Sequence, residues 1–419
     1  MPNILISLYL WRGASWTSRK LTVTSSPWVA ALPRDDVASA MANCRVCGGD
    51  IERLFEGQGH ESLTSSAMIV PGRTVIDLCL SCGHASTHPI ADLQSYYSSE
   101  YNFLAQERDQ DDLYERKVER NVYRSEQQAA IVEAKIDCSR VLSVLDFGCA
   151  KAQSLCLLTQ RHKNLSPFVF DVSDSYRKFW DEFVPPAQQA SFKVPESWAV
   201  DLILSFFVLE HVPDPVDFLV LMRRLLRPQG QLLLIVPNMV TNISDMLVVD
   251  HINHFSRASL VGAFSKAGFG GVEVDDASFR GAFVVTARNT QAALNIVTDG
   301  ADSVRSALQV RDAWLAVTSK VRSFEAAQSV DQTSAIYGSG IYGLYIATCL
   351  RHPARLTCFL DQNPYRNGLS FLGAPVLPVS DVSDEISAVY VGLNPQIAHD
   401  VIRGVPELAR RPREYVFLD

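Results

Sequence analysis

Short apolar runs alternate with helix-like stretches through the middle of the chain, and two of those runs close on an acid. Residues 141–147 (VLSVLDF) carry Asp146 near their end, and a small-residue turn follows: Gly148, Cys149, Ala150, Lys151, Ala152. Beyond a helical stretch, Phe168-Val169-Phe170 ends on Asp171. Ser173-Asp174 then reads as the N-cap of a helix over 175–183. Residues 199–206 are apolar on both faces, as a buried parallel strand requires. A turn over 209–215, a helix over 216–228 ended by Gln229-Gly230, and a strand over 231–238 complete the pattern. Strands alternating with helices predict an α/β fold with a doubly wound sheet, whose ligands sit at the carboxyl ends of its strands.

The flanks follow other rhythms. Residues 94–136 are charged with apolar positions at helical spacing, which predicts one or two amphipathic helices. Tyr96, Tyr97 and Tyr101 within them could cover a ligand or pack on the neighbouring cysteine knuckles. Ala307, Leu308, Val310, Trp314, Leu315 and Val317 mark a connecting helix or helical pair. A second strand–turn–helix unit begins at Ser334, with an intact G-x-G-x-x-G at Gly338, Gly340 and Gly343. Its next apolar run ends on Asp361, and strands are expected from Gly373 and from Ala388. The resulting division is a disordered leader or over-extended start over 1–40, a metal-binding unit over 41–95, the main α/β domain over 96–290, a helical link over 291–332, and a small Rossmann-like domain over 333–419.

Composition narrows the function classes. The chain has 419 residues, 47% of them hydrophobic and 20% charged, which suits ordinary globular cores. A formal charge of −8 without a basic stripe argues against nonspecific nucleic-acid or membrane binding. Residues 1–40 lack the positive start and cleavage pattern of a secretory signal. The nine cysteines suit a reducing cytosol better than a disulfide framework, so a cytoplasmic location is expected. Four of them form two C-x-x-C pairs, Cys44/Cys47 and Cys79/Cys82, each followed by glycine. Two such knuckles supply the closed tetrathiolate shell of a structural zinc ion. Reduced core cysteines or a redox pair are the alternatives, and His60, His84 and His88 read as surface residues or outer-shell donors.

The turn after Asp146 is shaped to hold a nucleoside. Small residues let main-chain N–H groups approach the ligand, and a strand-tip carboxylate such as Asp171 accepts from ribose hydroxyls. Ala150 and Ala152 stand where glycines are usual; a methyl there is tolerated at negative φ and costly at positive φ. Further on, Asp250, His251 and His254 are candidates for a base beside the acceptor, since a carboxylate fixes an imidazole's tautomer and raises its pKa. A helix-capping or carbonyl-bonding role for His251 stays open, and Glu210-His211 is a second acid–His pair near the same mouth.

The run from Asp201 to Asn238, following VLDFGCA and preceding Ala267-Gly268-Phe269, resembles the class I adenosylmethionine-dependent methyltransferases over about residues 140–290. That resemblance implies a Rossmann-like methyltransferase sheet and S-adenosylmethionine as cofactor. It places Asp146, Phe147, Gly148, Cys149 and Ala150 at the methionine part, Asp171 at the ribose, and Ser205 and Phe206 (with Phe207) near the sulfonium. Over about 41–419 the order of parts is similar to the nucleotide-sugar C-methyltransferase family. By that resemblance the C-terminal Gly338, Gly340, Gly343 and Asp361 would contact a nucleotide-sugar, and the acceptor is a sugar-like small molecule. The family's Tyr-x-Glu-His-x-x-Tyr base motif falls on Val248, Asp250, His251 and His254, which keeps an acid–His pair without the tyrosines and leaves O- or N-methylation open. A monomer or homodimer without nucleic-acid or membrane partners is expected. The competing readings are a nucleotide-sugar oxidoreductase using the C-terminal glycine turn, and a nucleotide-binding protein whose first site has decayed.

Overall fold

The computed structural model describes residues 43–89, 111–116, 119–140, 142–290, 300–329 and 331–419. The leader expected over 1–40, the cluster of Tyr96, Tyr97 and Tyr101, and residues 291–299 of the link lie outside the described residues.

In chain order, β1 (Ile51–Glu56), β2 (Val75–Cys79) and β3 (Ala85–Thr87) form the sheet beside the cysteine pairs. A hairpin of β4 (Leu113–Arg116) and β5 (Asn121–Tyr123) leads into α1 (Arg124–Lys135). The main domain runs β6 (Leu142–Phe147), α2 (Gln153–Arg161), β7 (Leu165–Asp171), β8 (Gln189–Ser191), β9 (Val200–Phe206), α3 (Pro215–Leu225) and β10 (Leu226–Pro237). It ends with β11 (Asn253–His254), α4 (Arg257–Lys266), β12 (Gly270–Asp275) and β13 (Ala282–Arg288). The long helix α5 (Ala301–Ala327) connects to β14 (Thr333–Tyr337), α6 (Ile341–Cys349), β15 (Leu356–Asp361), β16 (Ser370–Phe371), β17 (Ala374–Pro378), β18 (Ile386–Val391), α7 (Pro395–Arg403) and β19 (Glu414–Val416).

The main sheet has the order β8-β7-β6-β9-β10-β13-β12, parallel except for β13, which runs antiparallel between β10 and β12. Strand order reverses between β6 and β9, and the crevice there opens at the tips that carry Asp146, Asp171 and Ser205. The C-terminal sheet repeats the doubly wound pattern in the order β16-β17-β15-β14-β18-β19.

Three local expectations are corrected. Of the one or two helices expected over 94–136, α1 forms, but the described residues before it pair as the strands β4 and β5: Tyr114 packs on Phe279 with ring centroids 4.8 Å apart, and Glu126 accepts the Tyr123 N–H at the start of α1. The helix expected over 175–183 is a single turn, Arg177–Trp180. Asp171 holds the Ser173 N–H in a local turn, Trp180 reaches back to the Ala150 carbonyl, and Pro185-Pro186 stop any extension. The helix expected to run to residue 228 ends at Leu225, and Leu226 already pairs with Val200. Pro228 disfavours helix at Arg227, and the Asn289 amide captures the carbonyls of Arg223, Leu226 and Arg227.

The layers share their cores. The cysteine-pair residues Cys44, Val46, Cys79 and Cys82 are buried in one apolar cluster with Phe147, Phe218 and Phe264 of the main domain. A second cluster joins Ile76 and Leu78 to Met246, Leu247, Trp314, Ile336 and Leu344, so the first sheet, the main domain, α5 and the C-terminal unit pack continuously. β11, from the main domain, pairs antiparallel with β3 and completes the first sheet. Among the described residues no helix is long and apolar enough to cross a membrane.

Candidate functional site

The turn after β6 takes its shape from its neighbours. Gly148 has φ +74°, and a Cβ there would stand 2.4 Å from a Val208 methyl. Ala150 and Ala152 have φ +43° and +53°, the left-handed region in which a non-glycine residue costs about 1–2 kcal/mol. Such strain persists where surrounding bonds over-determine it. Asp171 Oδ2 accepts the Ala150 N–H at 2.8 Å, the Trp180 indole donates to the Ala150 carbonyl at 2.6 Å, and the Ala152 N–H donates to Cys149 at 2.6 Å. The two alanines therefore hold the positive-φ geometry that glycine would adopt. Because these bonds hold the turn in the same conformation with either residue, Ala150→Gly combined with Ala152→Gly should change the affinity of the turn for its ligand by less than about threefold. A hundredfold gain by calorimetry would show that the methyl groups obstruct the site.

Asp171 Oδ1 accepts the Ser173 N–H at 3.0 Å, so each carboxylate oxygen has one main-chain donor and one remaining acceptor position. Burial lifts the Asp171 carboxyl to about 6 despite these bonds, and burial together with the Asp171 charge lifts Asp146 to about 7. On the other side of the crevice the Ser205 hydroxyl is buried without a hydrogen-bond partner. Phe207, also at positive φ (+58°), lies under the Arg124 guanidinium at 3.9 Å and against Phe279, forming an aromatic wall. Phe206 and Cys149 line the same region of the core.

The acid that serves His251 and His254 is not Asp250. Asp245, in the turn Ile243–Leu247, accepts from Nδ1 of His251 at 2.6 Å and from Nδ1 of His254 at 2.7 Å. Asp250 instead accepts the Ser65 N–H and hydroxyl at 2.7 and 2.5 Å, bracing the mouth against the first sheet, while its carbonyl bonds to His211 Nδ1 at 2.8 Å. His254 is fully buried with Thr87 on its other nitrogen at 2.7 Å, so it supports the cluster rather than facing the crevice. His251 meets His211 edge-on, with ring centroids 4.7 Å apart. Burial works to lower the His251 pKa, and Asp245 outweighs it, lifting the ring to about 9. Burial opposes the Asp245 anion, and the two imidazoles outweigh it and hold its carboxyl well below the usual range. Burial pushes Glu210 up to about 8 and His211 down to about 4. Asp245 carries no periodic or motif signal; only its spacing before the two histidines could have drawn attention to it.

Cys44, Cys47, Cys79 and Cys82 converge, with one sulfur from each within 4.8 Å of the others. Cys44 and Cys82 sulfurs are 3.7 Å apart and Cys47 and Cys79 sulfurs 3.3 Å apart, close to the spacing of about 3.8 Å that tetrahedral zinc–thiolate bonds of about 2.3 Å require. Gly83 has φ +67°, and a Cβ on it would meet Ser303 at 2.3 Å, so the second knuckle is the platform for the start of α5. Of the neighbouring histidines, His60 is exposed, His88 bonds Asp77, and His84 is buried against Asn253 rather than at the surface.

In the C-terminal unit Asp361 accepts the Ser339 N–H at 2.8 Å, the Ser339 hydroxyl at 2.5 Å and the Asn363 N–H at 2.8 Å. Arg366 donates to the Ser339 hydroxyl and carbonyl. A Cβ on Gly343 would stand 1.8 Å from the Gly338 carbonyl, so that glycine serves helix-on-strand packing, whereas Gly340 faces open space. Tyr342, inside the glycine motif, bonds Ser244 and packs on Trp314, whose indole donates to the Ile243 carbonyl. The C-terminal turn thus abuts the segment that carries Asp245.

Residues 91–274, in the middle of the chain, match the family model described as a methyltransferase domain. Solved structures with a similar region include the CurJ carbon methyltransferase, at 16% identity and a TM-score of 0.33 over 39% of this chain and 54% of that one. An O-methyltransferase family protein from Burkholderia thailandensis aligns at 14% identity and a TM-score of 0.33 over 40% of this chain and 57% of its own. An S-adenosylmethionine dependent methyltransferase from Mesorhizobium loti aligns at 15% identity and a TM-score of 0.32 over 39% of this chain and 97% of its own. No curated protein matches the chain.

Proposed function

We propose that this protein transfers a methyl group from S-adenosylmethionine to a small, sugar-like acceptor, and that the tetrathiolate cluster holds a structural zinc ion. The observation that carries the reading is the packing, in a region matched to a methyltransferase domain, of the nucleoside-shaped turn at Gly148 against Val208, three residues before His211 and its ring neighbour His251. When bound, the cofactor supplies an electrophilic methyl group on a positive sulfonium. The residues fit it: Asp171 keeps an acceptor position on each oxygen for ribose hydroxyls, the turn presents main-chain N–H groups, and Ser205 brings a buried hydroxyl with no other partner. Arg124 and the wall of Phe207 and Phe279 screen the crevice from water. Asp245 fixes the proton of His251 on Nδ1, so in the neutral ring, populated above about pH 9, Nε2 is the nitrogen that takes a proton from an acceptor hydroxyl; the candidate base is an Asp–His pair, with Asp245 as its acid. The sugar-like acceptor rests on the resemblance in domain order and on the C-terminal turn that abuts Ser244. The oxidoreductase reading gains less support from Asp361: its Oδ2 already accepts both the Ser339 N–H and hydroxyl, so only Oδ1, which holds Asn363, keeps an acceptor position.

Isothermal titration of the full chain with adenosylmethionine tests the reading. Asp171→Ala should weaken binding about a hundredfold, about 2.7 kcal/mol. Ribose hydroxyls and the cationic cofactor favour ionised carboxylates, and Asp146 and Asp171 ionise near 7 and 6. Affinity should therefore rise from pH 5.5 to pH 8 and flatten above, and a flat or falling profile would count against these two acids as cofactor contacts.

A further inference from the structure

Glu210 presents a problem that methyl transfer alone does not solve. Its side chain is 1% exposed, and neither carboxylate oxygen has a hydrogen-bond partner. Burying an unpartnered carboxylate is costly, and a native structure keeps one only where something else satisfies it. Leu209–His211 form one turn of 3-10 helix at the crevice, and this turn aims Glu210 inward. One ligand atom from each of Glu210, His211 and His251 lies within 4.8 Å of the others. The rings are oriented for coordination. His211 donates through Nδ1 to the Asp250 carbonyl at 2.8 Å, and His251 bonds through Nδ1 to Asp245 at 2.6 Å. In both, Nε2 becomes the basic nitrogen, and Asp245–His251 is the carboxylate–histidine arrangement that orients and strengthens metal ligands.

We propose that Glu210, His211 and His251 form a divalent cation site of the manganese–iron–zinc class, separate from the four cysteines. Cation–ligand bonds of about 2.0–2.2 Å put neighbouring donor atoms about 3–4.3 Å apart, so small side-chain adjustments complete the shell. Two imidazoles and one carboxylate are a donor set for borderline cations, and three protein ligands leave open positions for outside oxygens. Neighbouring oxygens of a diol or hydroxy-ketone would fill those positions, which would orient the acceptor at the crevice. This acceptor role rests on the methyl-transfer reading, whereas cation binding itself does not. In the cation-bound protein His251 is a ligand, and its role as a base belongs to the metal-free protein.

Manganese is the suitable probe, because thiolate sites bind it poorly. The full chain, with zinc retained at the cysteines, is titrated with Mn2+ and followed by electron paramagnetic resonance. One Mn2+ per chain is expected, with affinity at least tenfold weaker in Glu210→Gln and in His211→Asn. Glu210→Gln is nearly isosteric, and unchanged zinc content and circular dichroism establish that each variant folds. No Mn2+ binding by the parent chain, or equal affinity in parent and folded variants, would overturn the site. Calorimetry with adenosylmethionine on the same samples separates the two readings. Cofactor binding without Mn2+ binding removes only the cation site, and Mn2+ binding without cofactor binding removes only methyl transfer.

Discussion

Asp245→Ala should destabilise the protein by about 3–5 kcal/mol and abolish the proposed methyl transfer, because one buried carboxylate orients two imidazoles. Both of its oxygens are engaged, by His251 and His254, and the Asp245 side chain is 1% exposed. Without it, His254 keeps Thr87 on Nε2 but has a buried Nδ1 with no acceptor, and His251 is free to turn its proton toward the crevice. Both effects act on one turn, Ile243–Leu247, which also receives Trp314 from α5 and Tyr342 from the C-terminal unit. Asp245→Asn keeps one acceptor and should fall between parent and alanine variant in stability. Its activity should still fall about a hundredfold or more, because an amide cannot serve both rings in the required tautomer. Urea denaturation reads the first effect and single-turnover transfer reads the second. A denaturation midpoint for Asp245→Ala equal to that of the parent would show that the two histidines do not depend on it.

Removing the metal expected at the cysteines should have the other large effect. The chain should carry one zinc ion at Cys44, Cys47, Cys79 and Cys82, and stripping it or introducing Cys79→Ser should cost at least about 3 kcal/mol. For a chain of this size that is a fall in Tm of at least about 3–4 °C. The damage should not stay local. Ser256 donates to the Cys82 carbonyl at 2.9 Å, β11 pairs with β3, and Val46 shares a core with Phe264. Amide exchange at Asn253 and His254 should rise with zinc loss, and transfer activity should fall with it. Zinc-free protein with parental Tm, together with a stable Cys79→Ser variant, would identify the four residues as ordinary reduced core cysteines.

These two expectations differ in how much of each was legible in the residues alone. The knuckles are local: two cysteines three apart and a following glycine define a turn whatever surrounds them, and two such turns supply the four sulfurs that converge in the structure. The nucleoside-shaped turn was legible for the same reason, since strand, turn, helix and strand-tip acid are neighbours in the chain. The doubtful positions, Ala150 and Ala152, needed the structure, because φ at an alanine is decided by what clamps it, and here the clamps are Asp171 and Trp180. Boundaries slipped where distant residues intervened, as when Asn289 ended α3 and Phe279 held Tyr114 in a hairpin.

The histidine cluster shows the limit most clearly. Its histidines were found from their proximity to Asp250, yet that acid braces Ser65 from the first sheet, and the acid that serves them sits in a turn with no motif. Neighbours in sequence can face opposite ways in an irregular segment, so spacing there does not determine contact. The sequence by itself determined the alternation of strands and helices, the two cysteine pairs and the position of the nucleotide-shaped turns, because each is written within a few bonds of itself. Only the tertiary structure decided that Asp245 serves both histidines, that Glu210 is buried unpartnered beside His211 and His251, and that the first sheet is completed by β11. Those contacts join segments far apart along the chain, and they form only when shared apolar cores bring the segments together.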